Sequence, residues 1–249
     1  MNVVVFAGPT IAAERGRALL PSAIFLPPAG CGDLYRACGL EPLAIALIDG
    51  VFDQRLAVWH KEILWALAQG IPVYGASSMG ALRAAELHTF GMIGVGSIFE
   101  SFRDGALERD DEVTLVHETR ERGYRPISEA QVNIRATLQH AVESGVLSAA
   151  QASQLATASA SRFYAQRSYQ HLLQAAEAQL DARTFSNFAS RLSELVVNRK
   201  LLDAELLLST IARDLQGPAR RSSPAFHLSY TEAWHELRRQ LDAGRKPSP

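Results

Sequence analysis

The chain is 249 residues long and carries 25 basic and 26 acidic side chains, for a formal charge of −1. Hydrophobic residues make up 47% and charged ones 20%, which excludes a disordered chain and predicts a folded protein with a sizeable core. The near-zero charge gives no support to a nucleic-acid or membrane-surface footprint, and no apolar run approaches the roughly 18 residues of a membrane span.

The opening MNVVVFAGPT enters an apolar strand pattern at once, without a basic leader or a small-residue cleavage site. Cys31 and Cys38 are spaced too widely for a CxxC pair and no second pair accompanies them, so free, buried thiols are expected. Together these features predict a cytoplasmic protein. Four apolar runs then follow: Val3–Phe6, Ala23–Leu26, Leu43–Ile48 and Ile71–Tyr74. Their hydrophobicity is continuous and not alternating, the pattern of strands covered on both faces in a parallel sheet. Turn residues close each run, at Gly8-Pro9, Pro27-Pro28-Ala29-Gly30, Asp49-Gly50 and Gly75. Helices are predicted over Arg55–Gln69 and Met79–His88, and a fifth strand over Val113–His117. Residues 1–120 therefore read as an α/β domain, an open, mostly parallel sheet with flanking helices in Rossmann-like layering.

Residues 121–249 change character. Ser128 and Gln131 have the spacing of a capping box, and the chain beyond is rich in Ala, Leu, Gln and Ser until Gly217-Pro218. Leu195, Val196, Leu201, Leu202, Leu206 and Ile211 recur at helical spacing, and a last helix is expected over Tyr230–Leu241. This half reads as a helical bundle or cap.

Ligands of open α/β sheets gather beyond the carboxyl ends of the strands. There the segment GASSMGALRAAEL, residues 75–87, runs from a strand through small residues into a helix. Centred on Ser78, it is a relaxed G-x-S-x-G elbow with Ala76 and Gly80 as flanks, and the N–H of Met79 is placed to face an oxyanion. A second reading stays open, in which Ser77 or Ser78 only caps the helix. No histidine has an obvious acidic partner in triad order; His60 and His88 are nearest in sequence and His117 ends the expected fifth strand.

Lysine is the other candidate base. Of the 25 basic residues, 22 are Arg and three are Lys: Lys61, Lys200 and Lys246. Leu56, Trp59, Ile63 and Leu67 form the main apolar stripe of the helix that carries Lys61, and Ala57, Leu64, Trp65 and Ala68 form an adjacent one. Lys61 interrupts the latter, so a desolvated amine suited to take a proton is one reading. A snorkelling side chain, or one paired with Glu62 or Asp53, is the other. Arg83 and Glu86 are three apart and form either a surface pair or part of the site. Gly91–Gly96 lacks the spacing of a dinucleotide loop, Asp110-Asp111-Glu112 is either a metal site or a solvated turn, and Gly32-Asp33 is expected to line the crevice.

Several blocks, taken in order, resemble TfuA-like proteins: Ile45–Phe52, Ala57–Leu64, Ser78–Leu87, Phe90–Gly96 and Asp110-Asp111-Glu112-Val113, together with Gly8-Pro9-Thr10 and Gly32-Asp33. The resemblance covers most of residues 1–118, and the helical half shows no pattern assignable to the family. It implies an accessory role in peptide-backbone thioamidation, in the modification of ribosomally made peptides, beside a YcaO enzyme that uses ATP. No cofactor or metal of the chain's own is implied. It further implies hydrolysis of a thiocarboxylated ThiS-like carrier to release sulfide through a Ser–Lys pair, and help for YcaO in engaging its peptide. Carried over, the pair is Ser78 and Lys61, with Ser77 as a rival. Met79, Gly80, Asp49, Gly50, His60, Arg83 and Glu86 would shape the site or its oxyanion hole. A non-catalytic adaptor and an unrelated Ser–Lys esterase or amidase are the alternatives.

Overall fold

The computed structural model of the chain describes residues 2–52, 56–217 and 226–243. In chain order, β1 (Val3–Phe6), α1 (Ala13–Leu19), β2 (Ile24–Leu26), α2 (Asp33–Cys38), β3 (Ala44–Leu47), α3 (His60–Ala68), β4 (Val73–Gly75), α4 (Met79–Leu87), β5 (Ile93–Gly94) and α5 (Ser97–Arg103) build the α/β part. The helices α6 (Gln131–Glu143), α7 (Ala149–Ala160), α8 (Tyr169–Gln179), α9 (Ala182–Leu195), α10 (Arg199–Asp214) and α11 (Glu232–Ala243) follow.

The sheet is parallel throughout, in the order β2-β1-β3-β4-β5. Every residue of β1 and β3 is buried, which is why their sequences are continuous apolar runs. The chain winds from β1 to one edge, then returns past it and winds to the other, so the winding reverses between β1 and β3. In such sheets the carboxyl ends at the reversal leave a crevice open.

The fifth strand is Ile93–Gly94, and the expected strand at Val113–His117 does not form. Val113 instead ends a 3-10 turn over Asp110–Glu112, and His117 makes only an isolated bridge to Pro126. A two-residue strand carries almost no periodicity, so its place in the glycine-rich stretch was hidden. α3 begins at His60, later than expected, because the Glu62 carboxylate accepts the Trp59 backbone N–H at 3.0 Å and fixes the first turn there. The expected start at Arg55 lies outside the described residues.

Two compact units are present, residues 1–104 with 203–249, and residues 105–202. The sequence-based division at residue 120 differs because the chain's last helix returns to the sheet unit. There Trp234 of α11 is fully buried and meets Tyr35 edge-to-face at 5.7 Å and Trp65 at 5.9 Å. In the helical unit α6, α7, α8 and α9 close around Ile134, Leu138, Leu155, Leu172 and Phe188. Ser148, Ser168 and Asp181 cap α7, α8 and α9 through their side chains. The capping box expected at Ser128 and Gln131 is absent: Ser128 Oγ accepts the Val116 N–H, and Gln131 is buried against Ala156 and Ser159. Ser148 with Gln151 forms a capping box instead. No helix among the described residues is long and apolar enough to cross a membrane.

Candidate functional site

Asp49 follows β3 by two residues, and Ser77 follows β4 by two residues. The strands pair with Leu47 opposite Gly75, so both turns leave the same edge of the sheet at the same level. The loop after β1 joins them. Asp49 is 1% exposed; its Oδ2 accepts the N–H of Gly8 at 2.8 Å and of Thr10 at 3.1 Å, and its Oδ1 accepts the Thr10 hydroxyl at 2.6 Å. These three donors turn the buried carboxylate into a clamp between the two central strands. Gly50, beside it, leaves room for the Met79 side chain, whose Cγ would stand 2.6 Å from an added Cβ.

The serine turn is held differently. Ser77 has φ +69°, the left-handed region, and the Ser78 N–H donates to the Ala76 carbonyl at 2.9 Å. A three-residue hydrogen bond around a positive φ is the γ-turn of the rarer, strained hand. Glu41 and Tyr124 also have positive φ, but Ser77 is the buried one of the three, at 0% exposure. Such a conformation costs on the order of 1–3 kcal/mol in a non-glycine residue. The turn is clamped by close approach. The Gly80 N–H donates to Ile48 O at 3.2 Å, and a Cβ on Gly80 would fall 1.8 Å from Leu47 O. A Cβ on Gly75 would fall 2.2 Å from Gly80 O. The Gly80 N–H is therefore engaged by Ile48, just past β3, and is unavailable to an oxyanion, while Met79 opens the helix, where N–H groups lack intrahelical acceptors.

Ser77 Oγ is buried with no hydrogen-bond partner among the described residues. Ser78 is 3% exposed and stands at the N-cap position of α4, yet its side chain makes no capping hydrogen bond. The plain reading of this turn as a serine cap is thus not what the side chains do.

Lys61 is half-buried and its Nζ donates to the Ser229 carbonyl just before α11. The apolar setting expected for it is incomplete: Leu56 is 67% exposed, and Leu64, Trp65 and Ala68 are half-buried. Glu62 is not its partner. That carboxylate is fully buried, accepts the N–H of Tyr35 at 3.3 Å as well as that of Trp59, and is pushed above its ordinary range by burial. Asp53, the other expected partner, lies outside the described residues, as does Lys246. Lys200 is the deeply buried lysine, 2% exposed with Nζ donating to the Val113 carbonyl at 2.8 Å in the helical unit. Helical periodicity could not reveal it, because a loop carbonyl and not a helix face encloses the amine.

His60, Arg83 and Glu86 assemble with one another on the surface. Glu86 Oε2 lies 2.7 Å from both His60 Nε2 and Arg83 Nη1, and Arg83 Nε donates to Val58 O at 3.1 Å. Burial opposes ionisation of Glu86, but the His60 hydrogen bond and the Arg83 charge outweigh it and hold the carboxyl below its usual range. This cluster ties the start of α3 to α4. Asp33 folds back onto its own loop, accepting the Gly30 N–H at 2.8 Å. Asp111 and Glu112 are engaged by Arg167 and Arg135 at 2.6 and 2.7 Å, as structural ion pairs would be. Cys31 and Cys38 form no disulfide and are half-buried, less enclosed than their composition suggested. A cavity of about 600 Å³ opens at the other end of the sheet, lined by Leu43, Ala44, Ile71, Pro72, Trp65 and Tyr74 among others, and no residue of the serine turn lines it.

Compared with known protein families, the chain matches the model described as TfuA-like protein over residues 49–168. The match begins at Asp49 and runs on to Ser168, so it reaches further into the helices than the blocks quoted above and leaves Gly8-Pro9-Thr10 and Gly32-Asp33 outside. No curated protein matches the chain. The Asp49 turn, α3 with Lys61 and the strained serine turn all lie within the matched span, and residues 49–168 of this chain are a TfuA-like segment.

Proposed function

We propose that the chain is an accessory factor of YcaO-dependent peptide-backbone thioamidation, releasing sulfide from a thiocarboxylated ThiS-like carrier. TfuA-like proteins are associated with YcaO partners, and this supports the setting. The observation that carries the chemistry is the serine turn: a buried hydroxyl without a partner, at a strained backbone position, beside a helix start and within the matched segment. A hydroxyl so placed attacks the carrier's terminal carbonyl, the Met79 N–H faces the oxyanion, and sulfide leaves. Asp49 and Gly50 shape the neighbouring wall, and the His60–Arg83–Glu86 cluster holds α3 against α4. Lys61 is the base of this scheme. Its amine must exchange the Ser229 carbonyl for the serine hydroxyl and shed a proton before it accepts one. The chain supplies no ATP chemistry; that belongs to YcaO.

The engagement of Lys61 by Ser229 favours a second reading, a non-catalytic adaptor that recruits YcaO and its peptide. Sulfide release from thiocarboxylated carrier, measured without YcaO, separates the two. Catalysis predicts release by the wild type and a loss of about 10²-fold or more in Lys61→Met. No release by the wild type, with undiminished stimulation of YcaO supplied with inorganic sulfide, refutes catalysis and leaves the adaptor.

A further inference from the structure

We propose that the cavity at the amino ends of β3 and β4 is a second binding site, one that takes an organic cation: an ammonium or guanidinium group carried on an apolar stem. It opens at the far end of the sheet from the serine turn, and it stands whether or not the chain hydrolyses a carrier. Its volume of about 600 Å³ falls within the roughly 300–1,000 Å³ of pockets that hold organic ligands.

The topology gives this end of the sheet a negative potential. Helices that cross between parallel strands run back along the sheet, so they finish where the next strand begins. Cys38 ends α2 and Gln69 follows α3, and both line the cavity together with Asp214, the last residue of α10. Helix carboxyl ends carry partial negative charge and favour cations. The side chains strengthen that field: Asp214 and Glu41 line the cavity, and no Lys, Arg or His does so among the described residues. A carboxylate at the end of α10 opposes the helix dipole, and a cation in the cavity would offset both.

The Asp214 carboxylate is enclosed but little used. Its side chain is 13% exposed, and Oδ2 accepts the hydroxyl of buried Tyr74 at 3.0 Å. Arg213 Nε stands 3.6 Å from Oδ1, beyond hydrogen-bond reach, on a side chain that is 74% exposed. Acceptor capacity therefore remains on a charge that is mostly out of water. The walls suit the rest of such a ligand. Trp65 and Tyr35 line the cavity, and both rings already receive a guanidinium, with Arg238 Cζ 4.3 Å from the Trp65 centroid and 5.7 Å from that of Tyr35. Leu43 and Ile71 offer apolar surface to a stem. A bare metal ion is a poor match, because no group of three or more His, Cys, Asp or Glu among the described residues could hold one.

Isothermal titration calorimetry of the full-length chain with phenethylguanidinium tests the site, with phenethylurea as the neutral isostere. The guanidinium should bind, and the urea should bind about tenfold more weakly or worse. Asp214→Asn should lower affinity for the guanidinium by about tenfold or more. Asparagine still accepts the Tyr74 hydroxyl, so this variant should unfold at the wild-type midpoint. Leu43→Arg, at an exposed position of the wall, supplies a guanidinium from within and should weaken binding too. A second arm adds a short peptide with one arginine. Competition with phenethylguanidinium assigns the site to a peptide side chain, and failure to compete assigns it to a free organic cation. No binding of millimolar phenethylguanidinium, equal affinity for phenethylurea, or wild-type affinity in either folded variant overturns the proposal. Sulfide release enters none of these measurements, so their failure leaves the hydrolytic reading to its own test.

Discussion

Two turns leave the same edge of the sheet, each two residues beyond a paired strand position, and each buries a polar side chain. The Asp49 carboxylate receives three donors and lies in a turn without a positive φ; the Ser77 hydroxyl has no partner among the described residues and lies in a turn that is strained. A buried carboxylate costs too much to leave unpaired, so its partners are part of the fold. An unpaired hydroxyl is cheaper, and a fold can hold one ready for a partner that arrives from outside. The contrast separates a polar group whose partners are supplied by the fold from one that has none among the described residues.

The largest effect is expected at the first turn. Asp49→Ala leaves the Gly8 and Thr10 N–H groups and the Thr10 hydroxyl unpaired, and should lower stability by about 3 kcal/mol or more. Urea denaturation measures it, and a loss below 1 kcal/mol would dissolve the contrast. Gly80→Ala comes next, at about 2–3 kcal/mol, since the new methyl must displace the Leu47 carbonyl; a variant that melts with the wild type would mean that the turn is not clamped. Ser77→Gly goes the other way, gaining on the order of 1 kcal/mol as strain is released. Destabilisation there would show that the hydroxyl has a structural partner after all.

The smallest effect belongs to the exposed cluster. Glu86 has its folded pKa depressed, so its contribution is present above the unfolded carboxyl value and fades as pH falls through the lower folded value. Its side chain is 45% exposed, so solvent screening limits the contribution to a few tenths of a kcal/mol. Wild type and Glu86→Gln should differ by that much at pH 7 and converge in acid; a gap that widens on acidification would reverse the assignment.

Much of the α/β architecture was legible because parallel strands must be apolar on both faces: β1, β3 and α4 fall within a residue of their expected limits. β5 was not, since two residues of strand leave no pattern, and Val113–His117 has a strand's composition without a neighbour to pair with. The serine turn was legible as a place, from small residues between a strand and a helix. Which serine stands at its apex was not, because the turn is shaped by the close approach of Gly80 to Leu47 O and of Gly75 to Gly80 O. The lysines show the same limit. A helical wheel left Lys61 either desolvated or snorkelling, and it is Ser229, distant in sequence, that takes its amine, while Lys200, with no apolar stripe to mark it, is enclosed by a loop.

What the sequence by itself determined is what short-range chemistry controls: strand hydrophobicity, turn residues and the family blocks that mark residues 49–168. Tertiary structure alone decided the strand order, the three donors on Asp49, the strain at Ser77 and the fate of each lysine. Those depend on which backbone atoms meet across long stretches of chain, and no local pattern of residue types encodes that meeting.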